Sequence, residues 1–299
     1  MARRGRPPGA PGGALRLRAE LVRTLATLDR EIERGIGPVG LPPEAVHDLH
    51  RELRRLASGL AVWARLVPAD AQAGIEEISQ RVRRLARLVG RVRDRDVTLT
   101  LLAPAARRRP RSEELGAWHE FLRRLREDGH TGRELLQAFL RTERQGGLFE
   151  RARGVLELTP RADADRGLHQ ILGEERRFRQ GRVRKAHRKA RRRPTSERLH
   201  RLRIRIRQWR HLASLELAAD AAATQPPPAS WSSLQERLGR IHDLDVALST
   251  VPAELGGSTP AQRLKEVRRV LRASVRLSLE RIAARPKRVT ARARLAGGQ

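Results

Sequence analysis

Two short strings of histidine and arginine hold the chemistry on offer in this chain. Residues 45–56, wound as a helix at about 100° per residue, turn His47, His50, Arg51 and Arg54 to one side, with Arg55 beside them. Val46, Leu49, Leu53, Leu56, Leu60 and Trp63 fall on the other. Residues 198–211 repeat the arrangement 153 positions later, with His200, Arg203, Arg207, Arg210 and His211 opposite Leu202, Ile206, Trp209 and Ala213. His47 and Arg54 lie about 10 Å apart along their helix. Guanidinium groups at that spacing donate paired hydrogen bonds to successive anionic oxygens, and imidazole adds a charge that varies near neutral pH. Arg binds phosphate and does not cleave it. The sequence has no Gly-rich phosphate loop, no His-x-x-x-His with an acid and no nucleophile elbow, so binding without catalysis is expected.

Composition points the same way. The 299 residues include 64 Lys+Arg against 34 Asp+Glu, a formal net charge of +30. Only Lys185, Lys189, Lys265 and Lys287 are lysines, and GC-rich coding would explain Arg over Lys but not the excess over acids. A field of this size favours a polyanionic partner. Cysteine is absent, which removes disulfides and thiolate metal sites. No run of 18 apolar residues is present, so no membrane insertion is expected, and residues 1–13 lack the apolar stretch of a secretory signal. A cytoplasmic location follows as an expectation. No cofactor is called for.

The positioning elements are helices. Residues 1–14 read as a disordered basic arm, and a first helix spans about 15–34 with Leu17, Leu21, Leu25 and Leu28 in one stripe. Pro42 and Pro43 open the first basic helix and Pro68 stops it. Helices over 71–93 and 96–102 follow, then a basic loop from 104 to 111. Ser112 is read as a cap for 113–128, Thr131 with Glu134 as a capping box for 132–144, and 148–157 as a shorter helix. The first half, 15–160, ends there. The second, 165–284, opens with a very basic segment from 168 to 193. Thr195 and Ser196 cap the second basic helix, 196–219; Ser230 caps the next; 259–284 forms the last. Residues 285–299 read as a flexible basic tail. No convincing strand is present.

A second pair of strings ends the helices that follow each basic helix. Gly90-Arg91-Val92-Arg93-Asp94-Arg95-Asp96-Val97 returns 149 positions on as Gly239-Arg240-Ile241-His242-Asp243-Leu244-Asp245-Val246. Arg84, Arg87 and Arg91 share a face beside the first copy, with Arg237 and Arg240 beside the second. The four Asp suit Arg pairing or capping better than a metal, since no third ligand is placed. Gly90 and Gly239 read as points of close helix contact.

Taken together the four strings resemble the CHAD domain, a histidine-bearing α-helical domain associated with inorganic polyphosphate. The first motif is matched at His200, Arg203, Arg207 and Arg210, with Gln208 for a base, and at His47, Arg54 and Arg55, with His50 and Ala57 for bases. The second is matched at Gly90, Arg93, Asp94, Asp96 and Val97, and at Leu238, Gly239, Asp243, Asp245 and Val246, with His242 where Arg usually stands. The resemblance spans about 15–284. It implies an all-α fold of two helical bundles related by a pseudo-two-fold, with a basic cavity or groove between them for polyphosphate. The expected role is docking on polyphosphate granules or regulation of phosphate metabolism; protein partners are not indicated. Nucleic acid is the rival partner. Four Phe, four Trp and no Tyr argue against a base-stacking platform, while duplex DNA or structured RNA held by its backbone stays open.

Overall fold

A computed structural model describes residues 12–37, 40–107, 111–220 and 227–284. Among these residues every regular element is helical: α1 (Gly13–Ile36), α2 (Pro43–Trp63), α3 (Ala69–Arg107), α4 (Ser112–Gln145), α5 (Leu148–Glu157), α6 (Ala164–Arg192), α7 (Ser196–Ala219), α8 (Ala229–Thr250) and α9 (Thr259–Ala284), with a 3-10 turn at Ala253–Leu255. Most of the expected arm and all of the tail lie outside the described residues. Gly13 and Ala14, expected in the arm, already belong to α1.

The basic helices form as their apolar stripes require. Val46, Leu49, Leu53, Leu56, Leu60 and Trp63 of α2 are fully buried, and the Trp63 indole donates to the Val155 carbonyl at 2.8 Å. In α7, Leu199, Leu202, Ile206 and Trp209 are buried, and the Thr195 hydroxyl accepts the Arg198 amide at 3.3 Å as its N-cap.

Packing lengthens two helices past their sequence signals. The two expected pieces over 71–102 and the first residues of the expected loop, 104–107, are one helix, α3, with Pro104 inside its last turns; 108–110 lie outside the described residues. Interior proline costs about 3 kcal/mol. Leu102, Ala105 and Ala106 offset it by burial against Trp118, Leu122 and Leu255. Likewise α4 runs unbroken through Thr131, whose capping box is not used. There Arg133 reaches Asp96 on α3 at 2.5 Å, and Arg95 donates to the Asp128 carbonyl at 2.8 Å. A side chain at Gly132 would put its Cβ 2.9 Å from Arg95 Nη1. Gly132 leaves room for the end of the Arg95 side chain between α3 and α4. Ser112 is the first residue of α4 and Ser230 the second of α8, so Arg111 and Pro228 hold the cap positions instead. The Glu114 carboxylate accepts the Arg111 amide at 3.3 Å and the Thr259 amide at 3.2 Å, tying the starts of α4 and α9 together.

The largest hydrophobic cluster crosses the middle of the chain. It joins residues of α1, α2, α3 and α5 to Leu168, Ile171 and Leu172 of α6 and to Leu212, Leu215 and Ala219 of α7. Helix α1 packs on α6 and α7 as well as on α2, and α3 packs on α8. A separate cluster holds α6, α7, α8 and α9 through Val183, Ile206, Leu238 and Leu279.

Candidate anion-binding site

The apolar stripes of α2 and α7 fix where their basic faces look, and the two helices pack against each other. Between them, α3 and α6 enclose a cavity of about 670 Å³. His50 and Arg54 of α2, Arg87 and Arg91 of α3, Arg179 of α6, and Arg207 and His211 of α7 line it. None of the lining residues is Phe or Trp.

These bases are close enough to repel one another. Burial first, then Arg54, Arg203 and Arg93, push the Arg207 guanidinium down to about 9. Burial and then Arg203 and Arg93 lower Arg54. Arg203 is lowered by burial, with Asp243 opposing that shift and Arg93 adding to it. All three remain charged at neutral pH. Among the described residues none of the three forms an ion pair, and Arg207 Nε is buried with no acceptor in the protein. Asp94 and Asp243 offset only part of the charge. Burial raises Asp243 itself, against the pull of Arg93 and Arg203.

The imidazoles report the same field. Burial, then Arg54, Arg93 and Arg207, push His50 down to about 3. His211 falls to about 4 from burial, then Arg54 and Arg207, and His242 to about 4 from burial, then Arg203. His200 is also lowered, by burial and then Arg203. It lies with its Nδ1 3.2 Å from Nδ1 of His242. Arg93 Nε donates to His47 Nδ1 at 3.4 Å. At pH 7 the buried rings are neutral, each an acceptor as well as a donor.

Of the residues singled out from sequence, His50, Arg54, Arg87, Arg91 and Arg207 line the cavity, while His47, His200 and Arg203 lie beside it, close enough to share its field. The others lie elsewhere. Arg55 sits a further 100° round α2 and pairs with Glu20 of α1. Arg51 is held on the surface by Asp48 at 3.0 Å and Glu52 at 2.9 Å. Arg84 is exposed on α3 outside the cavity. Arg210 is exposed and donates to Gln235 at 3.2 Å. Arg237 donates to Ser274 and Ser278 at 3.1 and 2.7 Å, joining α8 to α9. Arg240 borders an apolar groove with Val97, Leu101 and Val267.

Sequence reasoning left Arg93, Arg179, His211 and His242 out of the candidate site. His211 had a signal, since it follows Arg203 and Arg207 at intervals of eight and four on one helix face. Arg93 and His242 lie in the second motif. Arg179 had none, because its place depends on bonds to Glu175 at 2.9 Å and to the Gln208 carbonyl of α7 at 2.9 Å. Three of the four motif aspartates are ion-paired: Asp94 with Arg93 at 3.0 Å, Asp96 with Arg133, and Asp245 with Arg268 and Arg272 at 3.0 and 3.1 Å. Gly90 does mark a close approach, its Cβ position lying 3.3 Å from the His50 ring, whereas nothing lies within 4 Å of that of Gly239.

An all-helical body with unpaired bases turned inward is the class that fold and site define. The chain belongs to the CHAD domain family, whose family model matches residues 17–252. Its fold is similar to the crystal structure of the CHAD domain from the plant Ricinus communis, at 20% identity, covering 96% of this chain and 92% of that one, with a TM-score of 0.57. It is also similar to PptA from Streptomyces chartreusis, at 17% identity, covering 92% and 97%, with a TM-score of 0.53. No curated protein matches the chain by sequence. No helix among the described residues is long and apolar enough to cross a membrane.

Proposed function

We propose that this protein binds inorganic polyphosphate, without cleaving it, in the cavity between α2 and α7. The observation that carries the reading is the set Arg54, Arg203 and Arg207: partly buried, mutually repelling, and without a carboxylate in contact among the described residues. Such charges are costly in the free protein and are relieved by a multivalent anion. Guanidinium forks take phosphate oxygens in pairs, and Arg93, His47, His50 and His211 supply further donors. The two copies of the motif pair, on α2–α3 and on α7–α8, are read as a duplication that brings like faces to one groove by a pseudo-two-fold. CHAD membership accords with this ligand. Docking to polyphosphate granules in the cytoplasm, or regulation of phosphate metabolism, is the role it would serve.

Nucleic acid is the competing polyanion. The cavity's lack of aromatic side chains favours a chain with no bases to stack. The test is competition of long-chain polyphosphate against duplex DNA and tRNA at matched phosphate and physiological salt. Polyphosphate is expected to win. Equal competition by DNA would move the assignment to nucleic acid.

A further inference from the structure

The very basic helix α6 is not used up by this cavity. Its outer face forms, with α7, a second cavity of about 800 Å³. Arg182, Lys185, Lys189 and Arg192 line one wall, and Arg198, Arg201 and Arg205 the other. Among the described residues no carboxylate pairs with Arg182, Lys185, Lys189 or Arg192. One acid, Glu197, lies in the lining, and it pairs with Arg201. Arg205 is lowered by burial, then by repulsion from Arg182 and Arg201.

The groove is continuous with the central cavity. A smaller space of about 240 Å³ lies between them. It shares Glu175, Arg179 and Gln208 with the central cavity, and Phe178, Arg182 and Arg205 with the outer groove. Arg179 occupies Glu175, leaving no free acid in the passage. From Arg179 to Arg192 the wall runs about 20 Å. Phe178, 56% exposed, is the one large aromatic on this path, and Arg182 covers its ring at 5.3 Å from the centroid. A stacking platform for bases would need that face open.

We propose that the α6–α7 groove is a second binding segment for the same polyanion, which leaves the central cavity past Arg179 and continues along α6. This rests on the central polyphosphate reading. It adds that the protein reads chain length: short oligophosphates fill the centre, and only longer chains reach the groove.

The test compares two triple variants of equal charge. Arg182→Ala/Lys185→Ala/Lys189→Ala strips the groove. Arg177→Ala/Arg184→Ala/Arg188→Ala strips a different exposed face of α6, about 110° round the helix. Alanine favours helix in both, and circular dichroism checks the fold. Affinity is measured for tripolyphosphate and for long-chain polyphosphate. The groove triple is expected to lose about tenfold on the long chain, three exposed ion contacts' worth, and nothing on tripolyphosphate. The control triple is expected to keep both. Equal losses in the two triples would overturn the proposal in favour of plain net charge. A groove triple that binds long chains normally and tRNA poorly would overturn it in favour of nucleic acid. Arg203→Ala/Arg207→Ala is measured alongside. If that pair still binds tripolyphosphate as the parent does, the central reading falls, and the extension with it.

Discussion

Replacing Arg203 and Arg207 by alanine separates a built site from a charged surface. Each guanidinium that meets phosphate makes charge-assisted bonds worth about 1.5–3 kcal/mol. Two such groups sum to about 3–6 kcal/mol, and a flexible ligand recovers part by shifting onto Arg54 and Arg93. A loss of about a hundredfold in polyphosphate affinity, roughly 2.7 kcal/mol, is therefore expected. The unliganded variant should lose little stability. Both groups are lowered by burial and by neighbouring Arg, so alanine removes a strained charge along with some stem packing. The control, Arg263→Ala/Arg276→Ala, removes the same charge from exposed positions of α9. Titration calorimetry at physiological salt gives the affinities and a thermal melt gives the stability. A loss below threefold, or one matched by the control, would refute the site. A variant that melts far below the parent would refute the claim that these charges are strained.

Three further outcomes follow from the same geometry. His50, His211 and His242 are held at about 3, 4 and 4, below the unfolded value near 6.5, so the stability tied to their neutral forms is present above pH 6.5 and lost as pH falls towards 4. A bound polyanion reverses the field; affinity should rise about tenfold from pH 7.5 to 5.5 for each ring returned to its ordinary range, with proton uptake seen by calorimetry in two buffers, and a flat profile would count against contact with these rings. Arg55→Ala should cost about 1 kcal/mol of stability in a denaturant melt, by removing the tie between α2 and α1 and leaving Glu20 to Arg23 alone, while polyphosphate affinity stays within twofold. Gly239→Ala should stabilise α8 by about 0.5–1 kcal/mol, because open space surrounds it, whereas Gly90→Ala presses on the His50 ring and should lower affinity; equal effects on binding would contradict the close approach.

The helices that carry the bases were legible because their stripes are strict. In α2 the buried Val46, Leu49, Leu53, Leu56, Leu60 and Trp63, and in α7 the buried Leu199, Leu202, Ile206, Trp209 and Leu212, recur at three or four, with Ile204 and exposed Leu217 of α7 off the stripe. Helix ends were less so. Pro104 and Thr131 are strong local signals, yet Trp118 on α4 and Asp96 on α3 outweigh them, and neither neighbour is visible from the local sequence. The same limit applies to the bases. Arg54 and Arg55 are adjacent and chemically identical. One meets Arg203 and Arg207 while the other meets Glu20, a residue 35 positions earlier in the chain. Helical winding places Arg55 near the edge of the face, but only the position of α1 decides which way it goes. Arg179 reaches the cavity by way of bonds to α7 and has no pattern of its own.

The hydrophobic cluster shared by α1, α2, α6 and α7 has a mechanical consequence. The walls of the central cavity are joined at one end, where Leu212 and Leu215 of α7 pack with α1 and α2, while the α7 stripe beside Arg203 and Arg207 packs on α8 and α9. At the joined end the gap is set before any guest arrives. Adaptation then falls on the ligand, which must shed its own freedom to follow a path the protein has already set, while the protein gives up little. A supple anionic thread meets that demand by bending. A stiff rod of the same charge density cannot, however strongly the field draws it in.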